Sequence, residues 1–245
     1  MSEPEPCPLI YQDDCLVAIN KPSGLLVHRS PIDRHETRFA LQQVRDLIGQ
    51  RVYPVHRLDK PTSGVLLFAL SPETARILAR QFAAGEVSKR YLAVVRGYAP
   101  EMGEIDYPLK EELDRIADRR RSGDRPPQAA HTRYRRLATV ELPICVDRYP
   151  QTRYSLVELW PRTGRKHQLR RHMKHIGHPI IGDAKHGKGV HNRYFQREYD
   201  CHRLLLACTR LIVRHPRSGQ PLELRASLDE AYLRVIEAFA WQTHL

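Results

Sequence analysis

Short runs of Val, Ile, Leu and Tyr recur along the chain, at Leu9 to Tyr11, Leu16 to Asn20, Val65 to Ala69, Tyr91 to Val95, Tyr154 to Trp160, Leu204 to Ala207 and Leu211 to Val213. Runs of this length and β-branched content predict strands. Helical signals interrupt them. Phe39 to Ile48 has mixed amphipathic spacing, and Ser71-Pro72-Glu73 is an N-cap with a first-turn proline that Gly85 can close. Ser227-Leu228-Asp229-Glu230 forms a capping box and opens a helix that runs to about Ala240. Strands and helices in this irregular order predict an α+β fold rather than a regular βαβ winding.

Two polar stretches break the pattern. Glu111 to Pro127 is too charged for a core, with Asp114, Arg115, Asp118, Arg119, Arg120, Arg121, Asp124 and Arg125 ahead of Pro126-Pro127. It reads equally as a solvated excursion or as an RNA-contacting arm. Lys185 to Asp200 mixes Gly, His, Asn, Arg and Tyr, and a loop beside the functional site is expected there.

A chain of 245 residues can bury a sizeable core, and one catalytic domain over 9–245 behind a flexible tail of residues 1–8 is expected. Lys plus Arg number 40 against 28 Asp plus Glu, a formal charge of +12. That excess points to a polyanionic partner, nucleic acid first. No apolar run approaches the roughly 20 residues that span a bilayer, and the N-terminus, Met1-Ser2-Glu3-Pro4-Glu5-Pro6, is acidic rather than an export signal. A cytoplasmic protein without membrane contact or an obligate protein partner, a monomer, is expected. The five cysteines, Cys7, Cys15, Cys145, Cys201 and Cys208, form no C-x-x-C pair and are odd in number, which argues against a disulfide framework and a structural zinc site.

The most informative stretch is His56-Arg57-Leu58-Asp59-Lys60-Pro61-Thr62-Ser63-Gly64, which runs into the apolar Val65-Leu66-Leu67-Phe68-Ala69. Pro61 and Gly64 punctuate a tight loop, so Asp59 is a carboxylate between two cations on a loop presented by a buried strand. Taken alone, an Asp-Lys-Pro turn is more often an ordinary surface turn.

The full string resembles the catalytic motif of the pseudouridine synthases of the RluA type, with its His-Arg-Leu-Asp, Thr-Ser-Gly and following strand. Three further blocks agree in order. Leu16 to His28, with Lys21-Pro22-Ser23-Gly24, resembles the family's opening strand and loop, and Lys89-Arg90-Tyr91-Leu92-Ala93-Val94-Val95-Arg96-Gly97 resembles the strand of its active-site tyrosine. Thr163 to His172, followed by His178-Pro179-Ile180-Ile181-Gly182-Asp183, resembles the remaining block. The resemblance implies one catalytic domain with a mixed, mainly antiparallel central sheet, conversion of uridine in RNA to pseudouridine, and no cofactor.

It also implies roles. Asp59 is the catalytic carboxylate, as nucleophile or as the group that takes a sugar proton. Arg170 matches the family's arginine that pairs with the catalytic Asp, so its guanidinium is expected to fork Asp59 and keep it ionised and oriented. Tyr91 matches the tyrosine whose ring can stack under the base and whose hydroxyl can relay a proton. Beside Asp59, His56 and Arg57 are expected at the RNA, Arg57 in the space that a flipped nucleotide vacates. From Arg162 to Lys188 the chain carries eight Lys and Arg against Asp183 alone, with five histidines among them. Arg165, Lys166, Arg171, Lys174 and Lys185 are expected on phosphates.

Metal chemistry is not expected: His167, His172, His175 and His178 match no H-E-x-x-H spacing and have no carboxylate with them on the helix. Gly182 to Gly189 has phosphate-loop spacing, but Gly189 stands where Ser or Thr should be. Within the family the resemblance is to the branch acting on uridine 65 of tRNA, through the short segment before the first strand, Glu111 to Asp118, and Arg165-Lys166-His167-Gln168-Leu169-Arg170-Arg171-His172. Ribosomal RNA is the alternative substrate. A non-catalytic RNA-binding protein is the alternative from another class, but it would be expected to lose Asp59 or Tyr91, and both are present. A nuclease or phosphotransferase would need clustered carboxylates that Asp59 lacks.

Overall fold

The computed structural model describes residues 7–29, 35–112 and 126–245. In chain order its elements are β1 (Leu9–Gln12), β2 (Leu16–Lys21), α1 (Ala40–Ile48), β3 (Tyr53–Pro54), β4 (Ser63–Ala69), α2 (Pro72–Ala84), β5 (Ser88–Arg96), β6 (Met102–Asp106), β7 (His131–Leu142), β8 (Thr152–Pro161), α3 (Gln168–His175), α4 (Gly189–Tyr199), β9 (Leu206–Arg214), β10 (Pro221–Arg225) and α5 (Glu230–Ala238). This is the expected α+β class with a mixed, mainly antiparallel arrangement of strands.

The chain gathers into two compact units. The first comprises the residues up to Lys89 and Cys208–Ser227. Its strands run β1-β2-β4-β9-β10, with β3 on β4. All seven residues of β4 are buried. Val17, Ile19, Leu66 and Phe68 pack with Ala40 and Val44 of α1 on one face. Cys7, assigned by the sequence to a flexible tail, is buried in the same cluster, and its thiol donates to Gln43 Oε1 at 3.0 Å. The α2 helix begins as predicted: Ser71 Oγ accepts from Thr74 N, Pro72 follows, and Gly85 closes it with φ 73°. A cap of this kind is worth about 1 kcal/mol.

The second unit comprises residues 90–111, 126–207 and 228–245. Its strands run β5-β8-β7-β6, all antiparallel. Alternation along β8 divides its core. Tyr154 and Leu156 pack under Phe195 of α4 and Tyr232, Val235 and Ile236 of α5. Val157 and Leu159 pack on the other side with Leu169 and Met173 of α3.

Three expectations change. Lys185 to Asp200 is not a loop throughout: α4 occupies Gly189–Tyr199, because His191 and Phe195, four residues apart, both turn inward. The N-cap of α5 is Asp229 rather than Ser227; Asp229 Oδ1 accepts from Tyr232 N at 3.0 Å, while Ser227 accepts from Asn20 Nδ2. Leu204 to Ala207 and Leu211 to Val213 belong largely to one strand, β9, since Thr209-Arg210 between them is only half exposed. Most of Glu111 to Pro127 lies outside the described residues. All five cysteines are free thiols, four of them buried.

Candidate active site

In the first unit Asp59 stands on a turn just ahead of β4, its own carbonyl accepting from Thr62 N at 3.0 Å. Leu58 on one side and Thr62 and Ser63 on the other are buried, and Arg57 is exposed. Gly64 follows with φ +112°, and a Cβ there would lie 2.1 Å from the Cys208 carbonyl oxygen, so only glycine lets β4 begin at this point.

The loop after β2 grips this turn. Lys21 is fully buried, and its ammonium donates to the carbonyls of Pro22 and Leu25 at 2.8 Å and of Lys60 at 3.2 Å. Gly24 N also donates to Lys60 O, and Ser23 Oγ donates to Pro61 O at 2.7 Å. The Leu16 to His28 block and the block that carries Asp59 are therefore one hydrogen-bonded structure. A buried ammonium is tolerated only when its donors are occupied, and here they bind the backbone next to the carboxylate. Lys60 extends outward to Glu36 at 2.9 Å.

His56, expected at the RNA, is engaged in the fold. Its Nε2 accepts from Leu67 N at 3.0 Å and its ring stacks on Phe82, with centroids 4.9 Å apart. Burial, and then the nearby Lys89 ammonium, lower its pKa to about 3, so the ring is neutral, as its acceptor role requires.

In the second unit Tyr91 of β5 pairs with Leu159 of β8 and packs partly buried against the Leu169 and Met173 cluster. Arg170 rises from the first turn of α3. That turn is set by Gln168, whose Oε1 accepts from Thr163 Oγ1 and Arg165 N and whose Nε2 donates to His131 O and Thr132 Oγ1. His167 ahead of it has φ 56°, a left-handed conformation costing a non-glycine residue roughly 1 kcal/mol.

Arg170 is forked onto Asp183: Nε donates to Oδ2 at 2.7 Å and Nη2 to Oδ1 at 2.8 Å, and both residues are buried. Asp183 also accepts from Lys185 N and His186 N. Burial works against its ionisation, but the Arg170 guanidinium and these two amides outweigh it and hold the carboxyl below the usual aspartate range. Gly182 makes the turn possible, since a Cβ would meet the Arg203 carbonyl at 1.9 Å.

The other predicted contacts of this unit divide. Arg165, Lys166, Lys174 and Lys185 are exposed, and Arg165 Nε donates to Ala129 O. Arg171 Nη1 donates to Lys110 O at 2.9 Å. The histidines have separate destinations: His172 bridges Thr132 Oγ1 and Tyr107 O, His178 binds Arg96 O, His175 stacks on Tyr107, and His167 Nδ1 lies 3.0 Å from His186 Nε2. Asp13, Cys15 and His215 bring three potential metal-ligand atoms within 4.8 Å. Asp13, however, already accepts from Tyr11 OH, His215 Nε2 and the amides of Cys15 and Leu16, and so serves as a clasp for the first hairpin.

Sequence reasoning gave no role to Lys21 or to the pairing of Asp183. Asp183 left a signal as the one acid in a strongly basic stretch, and Lys21 left only its place at the end of an apolar run.

Residues 15–175 match the family model described as RNA pseudouridylate synthase. A protein of Vibrio cholerae named tRNA pseudouridine synthase C is 54% identical over 237 residues, covering 97% of each chain. Its namesake in Pasteurella multocida is 55% identical over 95% of this chain and 96% of its own. Among solved structures, human RNA Pseudouridylate Synthase Domain Containing 4 aligns with TM-score 0.69 at 25% identity over 95% of this chain and 93% of its own. Human RNA Pseudouridylate Synthase Domain Containing 1, at 23% identity and TM-score 0.70, shares the fold. With the family model covering well over half of its length and relatives more than 50% identical along nearly the whole of it, the chain belongs to the RNA pseudouridylate synthases of the RluA type.

Proposed function

We propose that this chain converts uridine 65 of tRNA to pseudouridine, with Asp59 as the catalytic carboxylate and without a cofactor. The observation that carries the tRNA substrate is the near full-length likeness, above 50% identity, to relatives named tRNA pseudouridine synthase C. The reaction breaks the bond from ribose C1′ to N1, turns the uracil, and joins C1′ to C5. The C5 proton leaves and N1 gains one, so neither redox nor phosphate chemistry is required.

Within this reading each residue has a physical task. Asp59 attacks the nucleoside or takes a sugar proton, and the Lys21 and Ser23 contacts to Lys60 and Pro61 hold its loop in one geometry. Arg170, assigned by its motif as the cation of Asp59, has its rotamer fixed by Asp183, a supporting shell of the sort that keeps a catalytic group in register. Tyr91 supplies a stacking face for the base. Arg57 fills the place of the flipped nucleotide, and His56 positions the turn through Leu67. Arg165, Lys166, Arg171, Lys174 and Lys185 contact phosphates.

The test uses tRNA carrying tritium at uridine C5, with chelator present. Wild type is expected to release tritium and Asp59→Asn to release none, and mapping the product places pseudouridine at position 65. Absence of release from tRNA by wild type overturns the reading, and release from ribosomal RNA alone redirects it.

A further inference from the structure

On β8 the face carrying Tyr154 and Leu156 is roofed by Phe195, Tyr232, Val235 and Ile236. The next two positions on that face are Glu158 and Trp160, opposite Arg135 and Arg133 of β7 in register. Arg90 stands on the corresponding face of β5, one residue before Tyr91. Glu158 is buried and binds the guanidiniums of both Arg90 and Arg135. Both Arg133 and Arg135 lie 5.9 Å from the Trp160 ring centroid.

Three arginines against one glutamate leave this row with a charge of +2 (3 − 1). Arg133 makes no ion pair among the described residues, since Glu104, opposite it on β6, is directed to His131 and Arg162. A buried carboxylate and an indole thus hold the exposed Arg133 and Arg135 in fixed orientation, with Arg90 partly buried beside them. Fixed guanidiniums lose little freedom when they meet a phosphate, which suits them to polyphosphate backbones. Tyr91 and Leu159 occupy the other face at the same end of the strands.

We propose that the Arg90, Arg133, Arg135 and Trp160 row is a second RNA-docking surface. It takes the sugar-phosphate backbone of the substrate beyond the nucleotide being isomerised, as the RNA passes from the Tyr91 face around the strand ends. The inference rests on the RNA-modifying function proposed above.

Binding of unfractionated tRNA across a salt series, together with single-turnover tritium release at saturating protein, tests it in the full chain. Arg133→Gln is the informative variant because it breaks no ion pair. It should weaken binding roughly tenfold, as loss of one charge-assisted hydrogen bond does, and lower the salt slope by about 1. The saturated rate should stay unchanged. Trp160→Leu should weaken binding in the same direction. Arg197→Gln, which removes an exposed arginine tied to Glu198 elsewhere in the unit, should leave binding as it was. Unaltered affinity and slope in Arg133→Gln would overturn the proposal. So would an equal loss in Arg197→Gln, which means diffuse charge, or a loss confined to the saturated rate. An effect of Arg133→Gln on binding of an acidic protein alone points to a different partner and also overturns it. A wild-type protein that binds tRNA through this row but releases no tritium would instead sink the functional reading.

Discussion

Arg170 and Asp183 form a buried, two-pronged ion pair inside the second unit, at 2.7 and 2.8 Å. Their sequence separation is only thirteen residues, yet the turn at Gly182 and the first turn of α3 are both needed to bring them together. Because breaking a buried pair strands a charge, Arg170→Met should cost about 3 to 5 kcal/mol in urea unfolding. The double variant Arg170→Met with Asp183→Leu should recover most of that stability while tritium release stays lost. Recovery of activity in the double variant would refute a catalytic role for Arg170.

Acid should weaken the fold in two stages. His56, with its pKa depressed to about 3, is neutral when folded and takes up a proton near pH 6.5 when unfolded, so its contribution is complete above that value and declines below it. The slope is at most about 1.4 kcal/mol per pH unit for one proton. His56→Gln, which can still accept from Leu67 N, should flatten stability measured between pH 4 and 6.5. Asp183 is lowered, so its contribution is present above about pH 4 and vanishes as pH falls through the folded value. Asp183→Asn should remove that second decline.

Lys21→Met should leave the carbonyls of Pro22, Leu25 and Lys60 short of a donor, destabilising by about 3 kcal/mol. Since Lys21 is fully buried, tRNA affinity should hold while kcat falls at least about tenfold, through displacement of the Asp59 turn. An unchanged kcat would show that the Lys60 carbonyl contact does not position Asp59.

Gly64→Ala places a Cβ against the Cys208 carbonyl at a left-handed φ, and a loss of more than about 3 kcal/mol in chemical unfolding is expected. Gly24→Ala, where a Cβ has nothing within 4 Å, carries only the strain of its φ of +86° and should cost about 1 kcal/mol.

Tyr91→Phe separates stacking from proton transfer. Retention of most tritium release would assign Tyr91 to stacking under the base, and a drop of about 100-fold or more would assign its hydroxyl to the proton path.

By itself the sequence determined what local chemistry controls. Apolar runs became β2, β4, β5 and β8, and Ser71, Pro72 and Gly85 bounded α2, because hydrophobic period and cap residues act over a few positions. The same local information placed Asp59 on a turn before a buried strand and set the block order that marks the family. Tertiary structure alone decided the rest. The twelve residues of β7, His131–Leu142, are rich in Arg and Thr and became a strand by pairing with β6 and β8 along their length. The α4 helix formed where His191 and Phe195 could be buried beneath Tyr154. Lys21 read as a loop residue until its ammonium was seen to close on Lys60, thirty-nine positions away, and Asp183 as a lone acid until Arg170 reached it. Hydrogen bonds and ion pairs of that kind depend on where distant backbone is held, and no pattern along the chain encodes that position.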